Sequence, residues 1–382
     1  MNYEMILFDL SMTQPIGDVK VHGGGKYGEA LFRRMVNRGV KLIVLYSSRE
    51  WINPEIIKLI EENHLKKIDL NEKSIDDIVH DENIKVIYSP LANHFYAKYR
   101  KCEVVSTIHG LRGFEISADK EMLCYRPISN SIEYIKLLLF SNLLKKKQSF
   151  FYRDMFENSH FHFVTVSYHT KYSLLSHFPF LYSRNIPVLY SPSTVSVLIP
   201  KNVKYKEKYY LMVSANRYYK NNLRAIKAFD RLFDTGLLNN VHVKITGISN
   251  FAIYRAKIKH PEYFDLLGFV EEKELTQLFH DAYCFVYPSI TEGFGYPPIE
   301  SMRFGTPVIA SPLTSISEVC ANAALYFNPY SVEEIMARIL LMEQQEVHDK
   351  LSNLGYNRYK EVSNRQDEDL DKLIDYILSF TN

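Results

Sequence analysis

The run Pro288-Ser289-Ile290-Thr291-Glu292-Gly293-Phe294-Gly295-Tyr296-Pro297-Pro298-Ile299-Glu300 gathers more chemically able residues than any other stretch of the chain. It follows the apolar stretch Phe285-Val286-Tyr287, which reads as a strand, and leads into Ser301 to Pro307. Proline is favoured in the first helical turn, so Pro297 and Pro298 predict a helix start. The amides of Gly293, Phe294 and Gly295 then precede a helix N-terminus, where unpaired N–H groups and the positive end of the dipole can seat a phosphate or a sugar hydroxyl. Glu292 falls in the loop and Glu300 in the first turn, with seven residues between them. Two carboxylates so placed can accept hydrogen bonds from vicinal hydroxyls, one holding a sugar ring and the other a ribose. Glu300 could equally do no more than stabilise the helix start.

Three further patterns bear on chemistry. Gly23-Gly24-Gly25-Lys26-Tyr27-Gly28 formally fits GxGxxG, but it lies about a dozen residues beyond the first strand rather than at its end, and no acidic residue follows at the second strand's end. Tyr27 stands where a P-loop needs Ser or Thr. Thr107-Ile108-His109-Gly110-Leu111 closes a predicted strand, where open α/β sheets present ligand-binding residues, although a lone histidine is often structural. Neither HExxH nor GxSxG occurs, and the DxD of Asp369-Leu370-Asp371 falls in an amphipathic segment and reads as a solvated face. No metal site is expected.

The elements that must position these residues follow from the hydrophobic rhythm. Ile6-Leu7-Phe8, Leu42 to Leu45, Val86-Ile87-Tyr88, Val104-Val105 and Phe163 to Val166 alternate with amphipathic stretches, the pattern of βα units on a parallel sheet. The pattern restarts with Tyr210 to Val213, Val241 to Ile245, Phe285-Val286-Tyr287 and Val308-Ile309-Ala310. At 382 residues the chain exceeds one core, so two domains are expected. Ser191-Pro192-Ser193-Thr194, Pro200 and the lysine-rich stretch to Lys208 place a hinge at about residues 190 to 207. Near the end, Leu370, Leu373, Ile374, Ile377 and Leu378 share one helical face that must dock on something.

Composition narrows the partners. With 46 basic and 44 acidic residues the net charge is +2, too balanced for nucleic acid as the main partner. Cys102, Cys124, Cys284 and Cys320 form no CxxC pair and read as reduced thiols. No signal peptide is read at the N-terminus, and no run of about 18 apolar residues suggests a spanning helix, so a cytoplasmic protein is expected, with any membrane contact peripheral. Residues 131 to 156 set Ile135, Leu137 to Phe140, Leu143 and Leu144 beside Lys145-Lys146-Lys147 and Phe150-Phe151-Tyr152-Arg153. That suits either an anionic membrane face or a core-facing helix with a solvated lysine turn.

The frame PS…EGFG…P…E.M..GTPV, from Pro288 to Val308, resembles the EX7E motif of retaining GT-B glycosyltransferases of family 4, the group 1 glycosyl transferases. A second block agrees: Ser214-Ala215-Asn216-Arg217-Tyr218-Tyr219-Lys220-Asn221-Asn222-Leu223 resembles the family's strand-loop-helix segment, in which an arginine and a lysine hold the donor diphosphate. The resemblance implies an α/β GT-B fold, two Rossmann-like domains with parallel sheets facing across a cleft: an acceptor domain over 1–195, a nucleotide-sugar domain over 205–362 and a C-terminal helix over 363–382 crossing back. It implies catalytic roles for Glu292, Arg217, Lys220 and His109. It implies donor binding by Gly24, Gly25, Gly293, Phe294, Gly295, Glu300 and Glu318, and it touches Ser167. Gly110 stands where many members have an aspartate after the histidine. The implied function is retaining, metal-independent transfer of a hexose-type sugar from a nucleotide-diphosphate sugar to a glycan or lipid-linked acceptor, in bacterial surface polysaccharide synthesis. No cofactor is implied. A non-catalytic nucleotide-sugar-binding subunit, or a GT-B phosphorylase or epimerase, is the alternative.

Overall fold

The structure is a computed structural model and describes residues 5–15, 22–97, 99–125, 127–193, 207–215 and 217–381. Most of the expected hinge, together with Asn216, lies outside the described residues.

Among the described residues, twelve strands form two parallel sheets: β1 (Ile6–Asp9), β2 (Leu42–Tyr46), β3 (Lys66–Asp69), β4 (Val86–Ser89), β5 (Glu103–Ile108) and β6 (Phe161–Thr165), then β7 (Tyr209–Met212), β8 (His242–Ile245), β9 (Phe264–Leu266), β10 (Cys284–Tyr287), β11 (Val308–Ala310) and β12 (Ala324–Tyr326). The first sheet has the order β3-β2-β1-β4-β5-β6 and the second β12-β11-β10-β7-β8-β9. Read from its own first strand, each follows the same doubly wound order, with a switch point between β1 and β4 and another between β7 and β10. The strands are short continuous apolar runs because helices cover both faces; β1, β4, β7 and β10 are buried along their whole length.

The chain divides into two compact units: residues 1–111, 146–196 and 363–382, and residues 112–145 with 197–362. Residues 112–145, which the sequence groups with the first domain, therefore belong with the second sheet. Side-chain pairing explains this: Arg224 grips Asp119 with two N–H groups at 2.7 and 2.8 Å, Lys227 pairs with Glu121, and the Tyr125 hydroxyl accepts the Leu223 amide at 3.2 Å. Tyr125 is itself part of the second unit's core.

The Gln345–Leu378 helix contributes to both units, to the first from Ser363 onward. There Leu370, Leu373, Ile374, Ile377 and Leu378 are buried, as their shared face requires. Arg34 donates to Asp371 at 2.9 and 2.7 Å and Arg38 to Asp375 at 2.7 Å. The solvated reading of Asp369 and Asp371 is corrected here: Asp369 is buried and accepts the Tyr190 amide at 3.0 Å, while Asp371 is ion-paired. The core-facing alternative for 131–156 holds only at its end, where Met155 and Phe156 are buried. Ile132, Ile135, Leu138, Leu139, Phe140 and Leu143 are exposed along the Pro127–Phe156 helix. Among the described residues no helix is long and apolar enough to cross a membrane.

Candidate functional site

The loops that leave β7 and β10 flank the second unit's switch point, the place where a doubly wound sheet offers its ligand crevice. After β7 the chain turns through a short 3-10 segment, Tyr218–Lys220, and enters the Asn222–Asp234 helix. Asn221 between them is left-handed at φ 59°, a conformation asparagine tolerates. Its side-chain amide donates to the carbonyls of Pro288 at 3.1 Å and Pro329 at 2.7 Å, tying this turn to the loop after β10. The Ile290 amide completes the tie by donating to the Tyr219 carbonyl at 2.8 Å.

That tie brings Lys220 and Glu292 together. The Lys220 ammonium donates to Glu292 Oε1 at 2.6 Å and to the Tyr287 hydroxyl at 3.0 Å, while Tyr287 and Ser289 donate to the same carboxylate oxygen at 2.6 and 2.5 Å. Both partners are nearly enclosed, with side chains 11% and 12% exposed. Burial pushes the Glu292 pKa up, but the charge of Lys220 and the hydrogen bonds from Lys220, Ser289 and Tyr287 outweigh it, and the carboxyl lies below its usual range. Among the described residues the third ammonium N–H and Glu292 Oε2 make no hydrogen bond. A donor for an anionic oxygen and an acceptor for a hydroxyl thus stand side by side.

Arg217, exposed, reaches the same turn by donating to the Tyr219 hydroxyl at 3.0 Å. Gly295 is left-handed at φ 98°, which favours glycine, and caps the Tyr296–Met302 helix. Because that helix begins one residue before Pro297, Glu300 sits beyond its first turn rather than within it as the sequence suggested. Phe294 is buried, and its carbonyl and that of Glu292 each lie 3.0 Å from the donating Ser315 hydroxyl. Glu318 lies within the Ile316–Cys320 helix, and its carbonyl accepts from Arg358 at 3.0 Å. Of the residues read from the sequence, the structure brings Lys220 and Glu292 together with Arg217 on the same turn, while their partners Tyr219, Tyr287, Ser289 and Asn221 were not singled out. The Asn-Asn pair at the helix entry was the one available sign of Asn221's turn.

The first unit carries His109, Gly24, Gly25 and Ser167. Gly24 and Gly25 lie in the first turn of the Gly23–Asn37 helix. A Cβ on Gly25 would meet the Thr13 carbonyl at 2.8 Å and one on Gly28 would meet Thr13 and Pro90, so close packing accounts for both. Ser167 caps the Tyr168–His177 helix through the Thr170 amide. His109 follows β5 directly, with Nε2 donating to the Pro90 carbonyl at 2.9 Å and the ring edge-on to Tyr27 at 4.6 Å. A carbonyl only accepts, so the neutral ring keeps Nδ1 as an acceptor. Although the residue retains some surface, protein encloses the ring, and that desolvation holds its pKa at about 4. Near neutrality it is a poor proton acceptor, and a hydrogen bond to a hydroxyl is what its chemistry favours.

A stability test follows. The unfolded imidazole takes up a proton near 6.5 and the folded one only near 4, so the folded state loses stability as pH falls through this window, by up to about 1.4 kcal/mol per pH unit. His109→Gln is expected to flatten that part of the curve. Urea midpoints that keep the wild-type slope would reject this account.

Two other features lie elsewhere. Glu207, His242 and Asp265 are the one group of three metal-type ligands among the described residues, but the Lys244 ammonium lies 2.8 Å from Glu207 and 4.0 Å from Asp265, which opposes a second cation. A cavity of about 770 Å³ lined by Lys244, Arg255, Phe264 and Glu274 shares no residue with the Lys220–Glu292 site.

Two Rossmann-like units, the second with a buried lysine–glutamate pair at its switch point, make this an α/β protein of GT-B architecture. Residues 197–361 match the glycosyl transferases group 1 family. The O-antigen chain mannosyltransferase RfbU of Salmonella typhimurium is 36% identical over 187 residues, 48% of this chain and 51% of that protein, so the match spans about half the length of this curated relative. Among solved structures, the sucrose-phosphate synthase of Thermosynechococcus elongatus superposes with TM-score 0.70 at 15% identity, covering 98% of each chain. HepE of Anabaena, solved with UDP and glucose, does so at 0.66 and 14%, covering 99% of this chain and 100% of that one.

Proposed function

We propose that this chain is a retaining glycosyltransferase that moves a mannosyl unit from a nucleotide-diphosphate donor to a glycan or lipid-linked acceptor in surface polysaccharide synthesis. The observation that carries the reading is the Lys220–Glu292 pair, with one ammonium N–H and one carboxylate oxygen turned to neither protein partner. The mannosyl assignment is supported by the name of the relative RfbU.

In this reading Lys220 and Arg217 offset the negative charge that grows on the departing nucleotide diphosphate, and Glu292 Oε2 holds a sugar hydroxyl. The C1–O bond to the diphosphate breaks on the same face on which the acceptor oxygen bonds. The acceptor proton leaves late, to an oxygen of the donor phosphate, so the chain supplies no nucleophile. Two fixed cations perform the phosphate stabilisation that a divalent ion would otherwise give, so no metal is required. The apolar and lysine-bearing Pro127–Phe156 helix brings the protein to the inner membrane face, where a lipid-linked acceptor would lie.

A melting screen of UDP, GDP and dTDP sugars, each in mannosyl and glucosyl form where available, tests this. A donor at a hundred times its Kd stabilises by about 2.7 kcal/mol, a rise of several degrees, and the mannosyl nucleotide is expected to rank first. Sugar release from that nucleotide without acceptor separates an enzyme from a binding subunit. If no sugar nucleotide moves the transition, the reading fails.

A further inference from the structure

Arg112 opens the Arg112–Glu115 helix, in the segment that joins the second unit from outside the matched residues 197–361. Its Nη1 donates to the Tyr219 hydroxyl oxygen at 3.1 Å, the same oxygen that Arg217 Nη1 reaches at 3.0 Å. Its guanidinium carbon lies 4.0 Å from the centre of the Tyr219 ring. Among the described residues neither arginine has a carboxylate partner, whereas Arg224 nearby in the sequence takes Asp119 through two N–H groups. The acidic residue on the same short helix, Glu115, accepts from Thr291. Two guanidinium groups therefore converge on one neutral oxygen with, among the described residues, no carboxylate bonded to either, an arrangement that an anion bridging them would relieve. Tyr219 is held in turn: its carbonyl accepts the Ile290 amide at 2.8 Å, so both arginines are registered to the loop that carries Glu292.

We propose that Arg112 and Arg217 form a two-arginine clamp for a diphosphate, with the Tyr219 hydroxyl fixing their spacing. The clamp rests on the reading of the Lys220–Glu292 pair as the donor site and extends it to a residue outside the family match. Each guanidinium presents a planar fork of N–H donors suited to two phosphate oxygens, which a lysine ammonium does not reproduce. The ligand is a diphosphate ester, and the chemistry admits two sources, the nucleotide sugar or a prenyl diphosphate carrying the acceptor.

Calorimetric titration of the full chain decides. The probes are UDP and GDP, the parent nucleosides, and farnesyl diphosphate. Arg112→Gln is expected to weaken the diphosphate probes about tenfold or more and to leave nucleoside binding unchanged. Arg112→Lys should fail to restore them, and Tyr219→Phe should give a partial loss. Loss confined to UDP or GDP names the donor as source, and loss confined to farnesyl diphosphate names the acceptor. If Arg112→Gln binds every diphosphate as the wild type does while Lys220→Ala weakens them, the clamp is wrong and the donor site stands. If neither substitution matters, both fall. Arg112 is exposed, so the variants should fold, which their melting curves verify.

Discussion

Lys220→Met is expected to lower transfer by about two to three orders of magnitude and, separately, to destabilise the second unit by about 3–5 kcal/mol. The two losses have different origins. In the proposed reaction, transfer loses a fixed cation beside the leaving group. Stability is lost because Glu292 would remain enclosed with its charge uncompensated, keeping only the Tyr287 and Ser289 hydrogen bonds. Lys220→Met combined with Glu292→Gln removes the stranded charge as well, so most of the stability should return while transfer stays lost. A double variant as unstable as the single one would show that the pair is not what holds the loop.

The pH dependence sharpens the test because its sign changes. In the wild type the Glu292 carboxyl lies below the ordinary glutamate value of 4.5, so its stabilisation is complete above that value and is lost as pH falls through the folded-state pKa. Without Lys220 the desolvation that opposes ionisation is the largest influence left. The carboxyl then moves above the unfolded value, and its destabilisation grows as pH rises from about 4.5 toward the new pKa. Lys220→Met should therefore be comparatively most stable in mild acid, opposite to the wild-type trend at this group. Urea midpoints across that range measure it.

Particular residues show what the sequence could reveal. The β10 run is read easily because a fully buried parallel strand is a block of apolar residues, and the glycines and prolines after it mark the loop carrying Glu292. Lys220 and Arg217 were legible through the resemblance of the segment after β7 to the family's strand-loop-helix block. The partners that give those groups their properties were not. Lys220 meets Glu292 across 72 positions of sequence and Tyr287 across 67, and no local pattern encodes a contact of that range. Tyr287 passes for one more strand residue until its hydroxyl is seen on the carboxylate. The place of residues 112–145 was hidden likewise, because it depends on Asp119 and Glu121 finding Arg224 and Lys227. Asp369 misled in the opposite sense: helical periodicity set it on the polar side, while the Tyr190 amide makes burial tolerable.

Leu139→Asp combined with Leu143→Asp is expected to abolish flotation with phosphatidylglycerol-rich liposomes and to leave melting unchanged. Ile132, Ile135, Leu138, Leu139, Phe140 and Leu143 are 53, 50, 58, 66, 51 and 64% exposed, so each has roughly half its surface left to bury. Full burial of such a side chain is worth about 1.5–3 kcal/mol, which makes the six together worth about 5–9 kcal/mol on the same scale. Lys145, Lys146 and Lys147 follow in the same helix and add about 1 kcal/mol each at an anionic surface. The apolar part therefore dominates. Neutralising the three lysines should weaken binding about a hundredfold at low salt and little at 1 M salt, where screening shortens the Debye length to about 3 Å. The aspartate variant should fail at every salt concentration, because it removes apolar contact and adds charge that the surface repels. Its fold should be spared, since exposed substitutions outside special backbone positions shift stability by only about 0.5 kcal/mol. An aspartate variant that still floats would place the membrane contact elsewhere, and lysine variants that lose binding equally at high salt would reverse the ranking of the two contributions.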